Sequence, residues 1–219
     1  MDAQQLKIEA ARAALPYVKQ GAVLAVGSGS TVNAFISLLP TLPFKITAAV
    51  AASIASENLL KAQGIAILDM NKIDSIGVYV DGADEIGPGL ALSKGAGAAI
   101  TREKIIAQAS EKFVCIADAS KVVKVLGKFP LTVEVVPMAR VQVMKALATF
   151  GGTPVWREGI VTDNGNHIVD VRGMMISEAS EMESAINQIP GVVTNGLFAL
   201  RPADVAYVAS AEGIRELTK

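Results

Sequence analysis

The chain has 219 residues, 51% of them hydrophobic but only 5% aromatic, with 20 basic and 21 acidic side chains and a net charge of −1. That length supports one large domain or two modest ones with a core of Ala, Val, Ile and Leu, and no run of one charge offers a footprint for nucleic acid or an anionic membrane. A single cysteine, Cys115, excludes an internal disulfide and fits a reducing compartment.

The opening stretch MDAQQLKIEAARAALPYVKQ is amphipathic with mixed charge, unlike a signal or transit peptide. No apolar run reaches membrane-spanning length, so a soluble cytoplasmic protein is expected. Short β-branched runs then alternate with helical patterns. The expected strands are VLAV (23–26), KITAAV (45–50), IAILDM (65–70), IGVYV (76–80) and KFVCIAD (112–118). Helical stretches centre on TVNAFISLL, SIASENLLKAQ and AAITREKIIAQA. Nearly continuous apolar strands separated by helices predict a mostly parallel sheet covered on both faces, an α/β fold of Rossmann-like layout.

Beyond Lys128 the rhythm changes to PLTVEVV, a helix over ARVQVMKALATF, the strands TPVWRE and HIVDV across a DNGN turn, a helix over SEMESAINQI and a last strand VVTNGLFAL. That order, β-α-β-β-α-β, predicts a ferredoxin-like α+β domain inserted into the first. ADVAYVAS and EGIRELTK then read as a strand and a helix returning to domain one. The expected boundaries are 1–128 and 204–219 for the Rossmann-like domain and 129–203 for the ferredoxin-like one.

Candidate chemistry clusters at strand ends, where ligands bind in such sheets. GSGST (27–31) follows VLAV and precedes an apolar helix, so its N–H groups and hydroxyls suit a phosphate; the alternative is plain helix capping by Ser or Thr. A dinucleotide fingerprint is excluded because Val32 replaces the third glycine and Ala51 and Ala52 stand where an acid is needed, and a Gly-Lys-Ser/Thr phosphate loop is missing. DGADEI (81–86) sets Asp81 and Asp84 about a glycine so that both carboxylates turn toward one crevice, with Glu85 facing elsewhere. Such acids bind magnesium, hold sugar hydroxyls or move protons, or merely cap a turn. KGAGAAITREK (94–104) combines a positive charge, a glycine turn and a helix start, with Glu103 in its first two turns as a candidate base or a simple partner of the helix dipole. Together these groups suit aldose–ketose isomerisation, in which a carboxylate shuttles a proton between adjacent carbons while a cation and N–H groups steady an enediolate.

In GSGSTVNAF, YVDGADEI, KGAGAAITREKI, IADASK, KFPLTVEVVP and VTDNGN, present in one order over essentially the whole chain, the sequence closely resembles the type A family of ribose-5-phosphate isomerases. The resemblance implies conversion of D-ribose 5-phosphate to D-ribulose 5-phosphate in the pentose phosphate pathway, by a homodimer or homotetramer without a metal or other cofactor. It makes Glu103 the proton-transferring base, with Asp81, Asp84 and Lys94 around the sugar. It places Ser28, Gly29, Ser30, Thr31, Gly95, Ala96, Gly97 and Lys121 against the substrate, with Asp118 orienting Lys121 and Lys7 as a further phosphate contact. Ser28 and Ala96 depart from the family's usual GTGST and KGGGA, and Ala96 must avoid positive φ or accept strain. A non-catalytic sugar-phosphate sensor is the rival reading; it would carry a DNA-binding segment and would not need Glu103. Transfer of an acyl-CoA through a glutamate ranks third. His167, Cys115, Trp156, Met174 and Met175 are read as structural.

Overall fold

The computed structural model describes residues 2–219. In chain order its first elements are α1 (Ala3–Ala14), β1 (Leu24–Val26), α2 (Ser30–Leu38), β2 (Ala48–Ala51), α3 (Ile54–Ala62), β3 (Ala66–Ile67) and β4 (Ile76–Asp81). There follow β5 (Glu85–Ile86), β6 (Leu92–Ser93), α4 (Ile100–Ala109), β7 (Ser110–Asp118), β8 (Leu131–Val135), α5 (Arg140–Ala148), β9 (Thr153–Val161) and β10 (His167–Arg172). The chain finishes with α6 (Ala179–Asn187), β11 (Val192–Asn195), β12 (Leu197–Phe198), β13 (Val205–Ser210) and β14 (Gly213–Thr218). Among the described residues no helix is long and apolar enough to cross a membrane.

Two compact units result. The first comprises residues up to Ala83, Arg102–Lys121 and Ala203–Lys219. Its seven-stranded sheet runs β14-β13-β7-β4-β1-β2-β3. Every neighbouring pair is parallel except the β13/β14 hairpin. Because β1, β2 and β3 wind one way and β4, β7 and β13 the other, the order reverses between β1 and β4. Such a reversal is where ligands bind in open α/β sheets, beyond the carboxyl ends of the strands, and the loops starting at Gly27 and Gly82 emerge there. The interior strands are buried on both faces, as continuous apolar runs require: Leu24, Ala25, Val26, Tyr79, Val80 and Val114 are all inaccessible.

The second unit comprises Asp84–Thr101 and Val122–Pro202. Its four-stranded antiparallel sheet has the order β11-β8-β10-β9, and its chain order β8-α5-β9-β10-α6-β11 is the split β-α-β arrangement of ferredoxin-like domains. A core of Leu131, Val133, Val143, Leu147, Val169 and Ile186 fills it.

Three expectations are corrected. The boundaries 1–128, 204–219 and 129–203 shift because residues 84–101 and 122–128 join the second unit. There β6 pairs with β5 on one side and β12 on the other in a three-stranded sheet, and Glu85 accepts the N–H groups of Gly127 (2.8 Å) and Phe129 (2.9 Å). VVTNGLFAL is two strands in different sheets, broken at Gly196, where a Cβ would stand 2.1 Å from the Lys94 carbonyl oxygen. EGIRELTK is strand β14 rather than a helix: so short a helix has little stability of its own, whereas pairing with β13 satisfies its backbone.

Candidate active site

In the first unit, a corner built of carboxylates lies at the carboxyl ends of β1 and β4. Asp81 ends β4 and is wholly inaccessible. Its Oδ1 accepts the N–H groups of Gly82 (2.7 Å) and Ser28 (3.2 Å), and its Oδ2 accepts the hydroxyl of Tyr79. Strand periodicity places Tyr79 and Asp81 on one face, two residues apart. Gly27 is needed here for space, since a Cβ on it would come within 1.8 Å of the Asp81 carboxyl carbon. Burial, reinforced by the charges of Asp81 and Glu103, pushes the Tyr79 phenol well above its ordinary 10.0, so it remains a proton donor.

Glu103 lies in the first turn of α4 and is only 2% exposed. Its Oε1 accepts the Ser28 hydroxyl at 2.5 Å. Ser28 therefore links the two acids: its N–H goes to Asp81 and its side chain to Glu103. Helix capping does not account for the GSGST hydroxyls, because α2 begins after Gly29 (φ +93°) with no side-chain cap. Ser30 is exposed and Thr31 half-buried on the first turn of α2, beside N–H groups at a helix start.

The second unit carries the lysine loop. Asp84 is half-buried and takes the N–H of Ala96 on Oδ2 at 3.0 Å, while its own N–H bonds to the Ser93 carbonyl at 2.9 Å. Lys94 is 4% exposed, donates its N–H to the Gly196 carbonyl at 2.9 Å and holds its ammonium 5.8 Å from the centre of the Phe198 ring. Gly95 adopts φ +138° against Thr132, whose Cβ would lie 2.3 Å from any added Cβ. Ala96 and Gly97 are exposed, and Ala96 stays out of the positive-φ region that would have strained it; Ala98 (φ +56°) occupies that region instead.

Among the other expected residues, Lys121 closes a short 3-10 turn after β7 and is half-buried, as is Lys7 on α1. Asp118 does not hold Lys121 as expected: it accepts the N–H of Ser120 at 2.9 Å and its hydroxyl. Cys115 is buried. The His167 ring stacks on Trp156 at 5.6 Å, and Arg140 lies 3.6 Å over the indole. Among the described residues no group of three or more His, Cys, Asp or Glu side chains is placed to hold a metal ion.

Several contributors escaped sequence reasoning. Tyr79 had a signal, its i, i+2 relation to Asp81. Glu134, inaccessible on β8, collects the hydroxyls of Thr101 and Thr162 (2.8 Å) and the amides of Asn164 (3.2 Å) and Asn166 (2.9 Å), so the DNGN turn helps anchor the first turn of α4. Arg157 binds Asp170 and the lysine loop. Nothing local marked either residue.

The fold and the first unit's corner define a Rossmann-like α/β protein whose strand-end carboxylates and hydroxyls suit proton transfer. Residues 48–213 match the family described as ribose 5-phosphate isomerase A (phosphoriboisomerase A). The chain belongs to that family. The ribose 5-phosphate isomerase A of Neisseria gonorrhoeae is 44% identical over 99% of this chain and 97% of its own, with a TM-score of 0.96. That of Methanocaldococcus jannaschii is 36% identical over the whole of both chains, with a TM-score of 0.92. A D-ribose-5-phosphate isomerase solved in complex with phospho-erythronic acid is 35% identical, again over both whole chains, with a TM-score of 0.95.

Proposed function

We propose that the protein is a ribose-5-phosphate isomerase that interconverts D-ribose 5-phosphate and D-ribulose 5-phosphate through an enediolate, without a metal, as a cytoplasmic homodimer or homotetramer of the pentose phosphate pathway. The observation that carries the reading is Glu103, a buried carboxylate at a helix start with a serine hydroxyl on one oxygen, in a chain of this family. A relative's complex with phospho-erythronic acid supports a sugar phosphate as the ligand class.

In the proposed reaction Glu103 takes the proton from C2 of the open-chain aldose. The C2–H electrons form the C1–C2 double bond and the carbonyl electrons move to O1, giving the enediolate, whose charge Lys94 offsets. Delivery of the proton from Glu103 to C1 and transfer of the O2 proton to O1 yield the ketose. Ring opening falls to Asp84, because Asp81 is fully enclosed and both its oxygens already accept hydrogen bonds from Ser28, Gly82 and Tyr79. Asp81 serves instead to hold Ser28, and through it Glu103, in place. The phosphate is assigned to Ser30, Thr31 and Lys94, with Gly29, Gly95, Ala96, Gly97, Lys121 and Lys7 as further contacts. A positioned base supplies about 10²- to 10⁴-fold, and the remaining acceleration comes from charge stabilisation and orientation.

The test is a coupled assay of purified, chelator-treated protein with ribose 5-phosphate, paired with light scattering for the oligomer. Ribulose 5-phosphate formation undiminished by chelator is expected. Binding without turnover would instead favour the sensor reading.

A further inference from the structure

Behind the lysine loop, one face of the ferredoxin-like sheet carries a row of polar side chains with no place in the reaction described above. Thr132 on β8 stands directly opposite Asp170 on β10; Asp170 stands opposite Val155 on β9, and Arg157 lies two residues further along the face of Val155. Asp170 takes the Arg157 guanidinium in a fork, Nε on Oδ2 at 2.8 Å and Nη2 on Oδ1 at 2.6 Å. Nη2 also donates to the Thr132 hydroxyl at 3.2 Å, which in turn donates to Asp170 at 3.1 Å. The remaining nitrogen, Nη1, reaches out of this row to the carbonyls of Gly95 at 3.0 Å and Ala96 at 3.1 Å. All five N–H donors of the guanidinium are thereby used.

We infer that Arg157, braced by Asp170, is the positioning residue of the lysine loop: it clamps two successive carbonyls and so sets the direction of Lys94 and of the loop's N–H groups. The peptide bonds involved are trans, so pinning the carbonyls of Gly95 and Ala96 toward Arg157 turns the N–H groups of Ala96 and Gly97 the opposite way. The Ala96 N–H meets Asp84 there, which ties the proposed ring-opening acid to the same clamp. Gly95 completes the device by letting the backbone lie flat on Thr132. Lysine cannot substitute, since a point charge with three donors lacks the planar fork that holds a carboxylate and two carbonyls at once.

The consequence for catalysis rests on the isomerase reading; the clamp itself does not. In Arg157→Lys, the KM for ribose 5-phosphate should rise about tenfold, equivalent to about 1.4 kcal/mol, with kcat falling alongside it because Lys94 also offsets the enediolate charge. Amides of the 95–98 segment should exchange with deuterium about tenfold faster by mass spectrometry, relative to an unchanged β4. Combined with Lys94→Ala, the second change should add little, because both act through one loop. Asp170→Asn, which keeps the shape and removes the charge, should reproduce these effects more weakly and serves if Arg157→Lys fails to fold. An unchanged KM with unaltered loop exchange and a lowered melting temperature, or full additivity with Lys94→Ala, would overturn the inference. Wild-type protein without isomerase activity would sink the functional reading alone, and loop exchange would still decide the clamp.

Discussion

The carboxylate corner of the first unit and the lysine loop of the second are organised by opposite means. At the corner, acids do the holding: Asp81 gathers two backbone N–H groups and a tyrosine hydroxyl, and Ser28 passes that order on to Glu103. In the loop, one acid and one cation hold the backbone itself, with Arg157 on two carbonyls and Asp84 on one N–H. The difference follows from the work proposed for each. A base must present one oxygen in one direction with its proton affinity set by neighbouring dipoles, whereas an anion site needs several N–H groups and an ammonium facing the same way. Asp81 and Glu103 in the corner and Lys94 in the loop are almost completely enclosed, which strengthens their contacts and makes each misplacement expensive.

Substitutions at the two places should therefore fail differently. The largest effect is expected for Glu103→Gln, which keeps the shape and removes the base: kcat should fall by about 10² to 10⁴ with KM nearly unchanged in the coupled assay. A KM that rose in step with the lost turnover would mean that Glu103 binds rather than transfers protons. Lys94→Ala should raise KM and lower kcat together, each by about tenfold or more, since one ammonium is asked to meet both phosphate and enediolate. An unchanged KM would confine it to the enediolate.

Gly27→Ala sharpens the comparison from the backbone side. Its Cβ would overlap the Asp81 carboxylate at 1.8 Å, and displacing that group should lower stability by about 1–3 kcal/mol in denaturant titration and lower kcat through Ser28 and Glu103. Wild-type stability with full activity would show that Asp81 is not what orders the corner.

Tyr79→Phe should act through pH. The folded protein raises the phenol's proton affinity above its ordinary 10.0, so the folded state keeps a proton that the unfolded chain releases, and wild-type stability should decline as pH climbs beyond about 10. Removing the hydroxyl should cost about 1 kcal/mol near neutral pH and flatten that alkaline decline, measured by denaturation from about pH 7 to pH 11. The smallest effect is expected for Ala96→Gly. Ala96 is exposed and free of positive φ, so restoring the family's usual glycine should change stability and KM by less than a factor equivalent to about 1 kcal/mol.

Much of both places was legible because it is written in neighbouring residues. Strand-end position and glycine spacing singled out GSGST, DGADEI and KGAGAAITREK without reference to any contact, and the reading of Glu85 as facing elsewhere agrees with its bonds to Gly127 and Phe129. Glu103 was distinguishable from an ordinary helix-dipole acid only in the company of the other clusters. Arg157 and Glu134 left no such trace. The first meets carbonyls more than sixty residues away in sequence and the second a threonine 33 away, and no local pattern encodes those meetings.

The alternation of short apolar strands with helices, the β-α-β-β-α-β run and the glycine-rich strand ends determined the fold class and the candidate loops, because periodicity and turn chemistry act over a few adjacent residues. Tertiary structure alone decided that residues 84–101 join the second unit, that the tail is a strand, that Asp81 is sealed in while Asp84 is half open, and that Arg157 grips the lysine loop. Those outcomes depend on which distant backbone groups and side chains find one another as burial proceeds, since nearly every enclosed polar group must end with a partner.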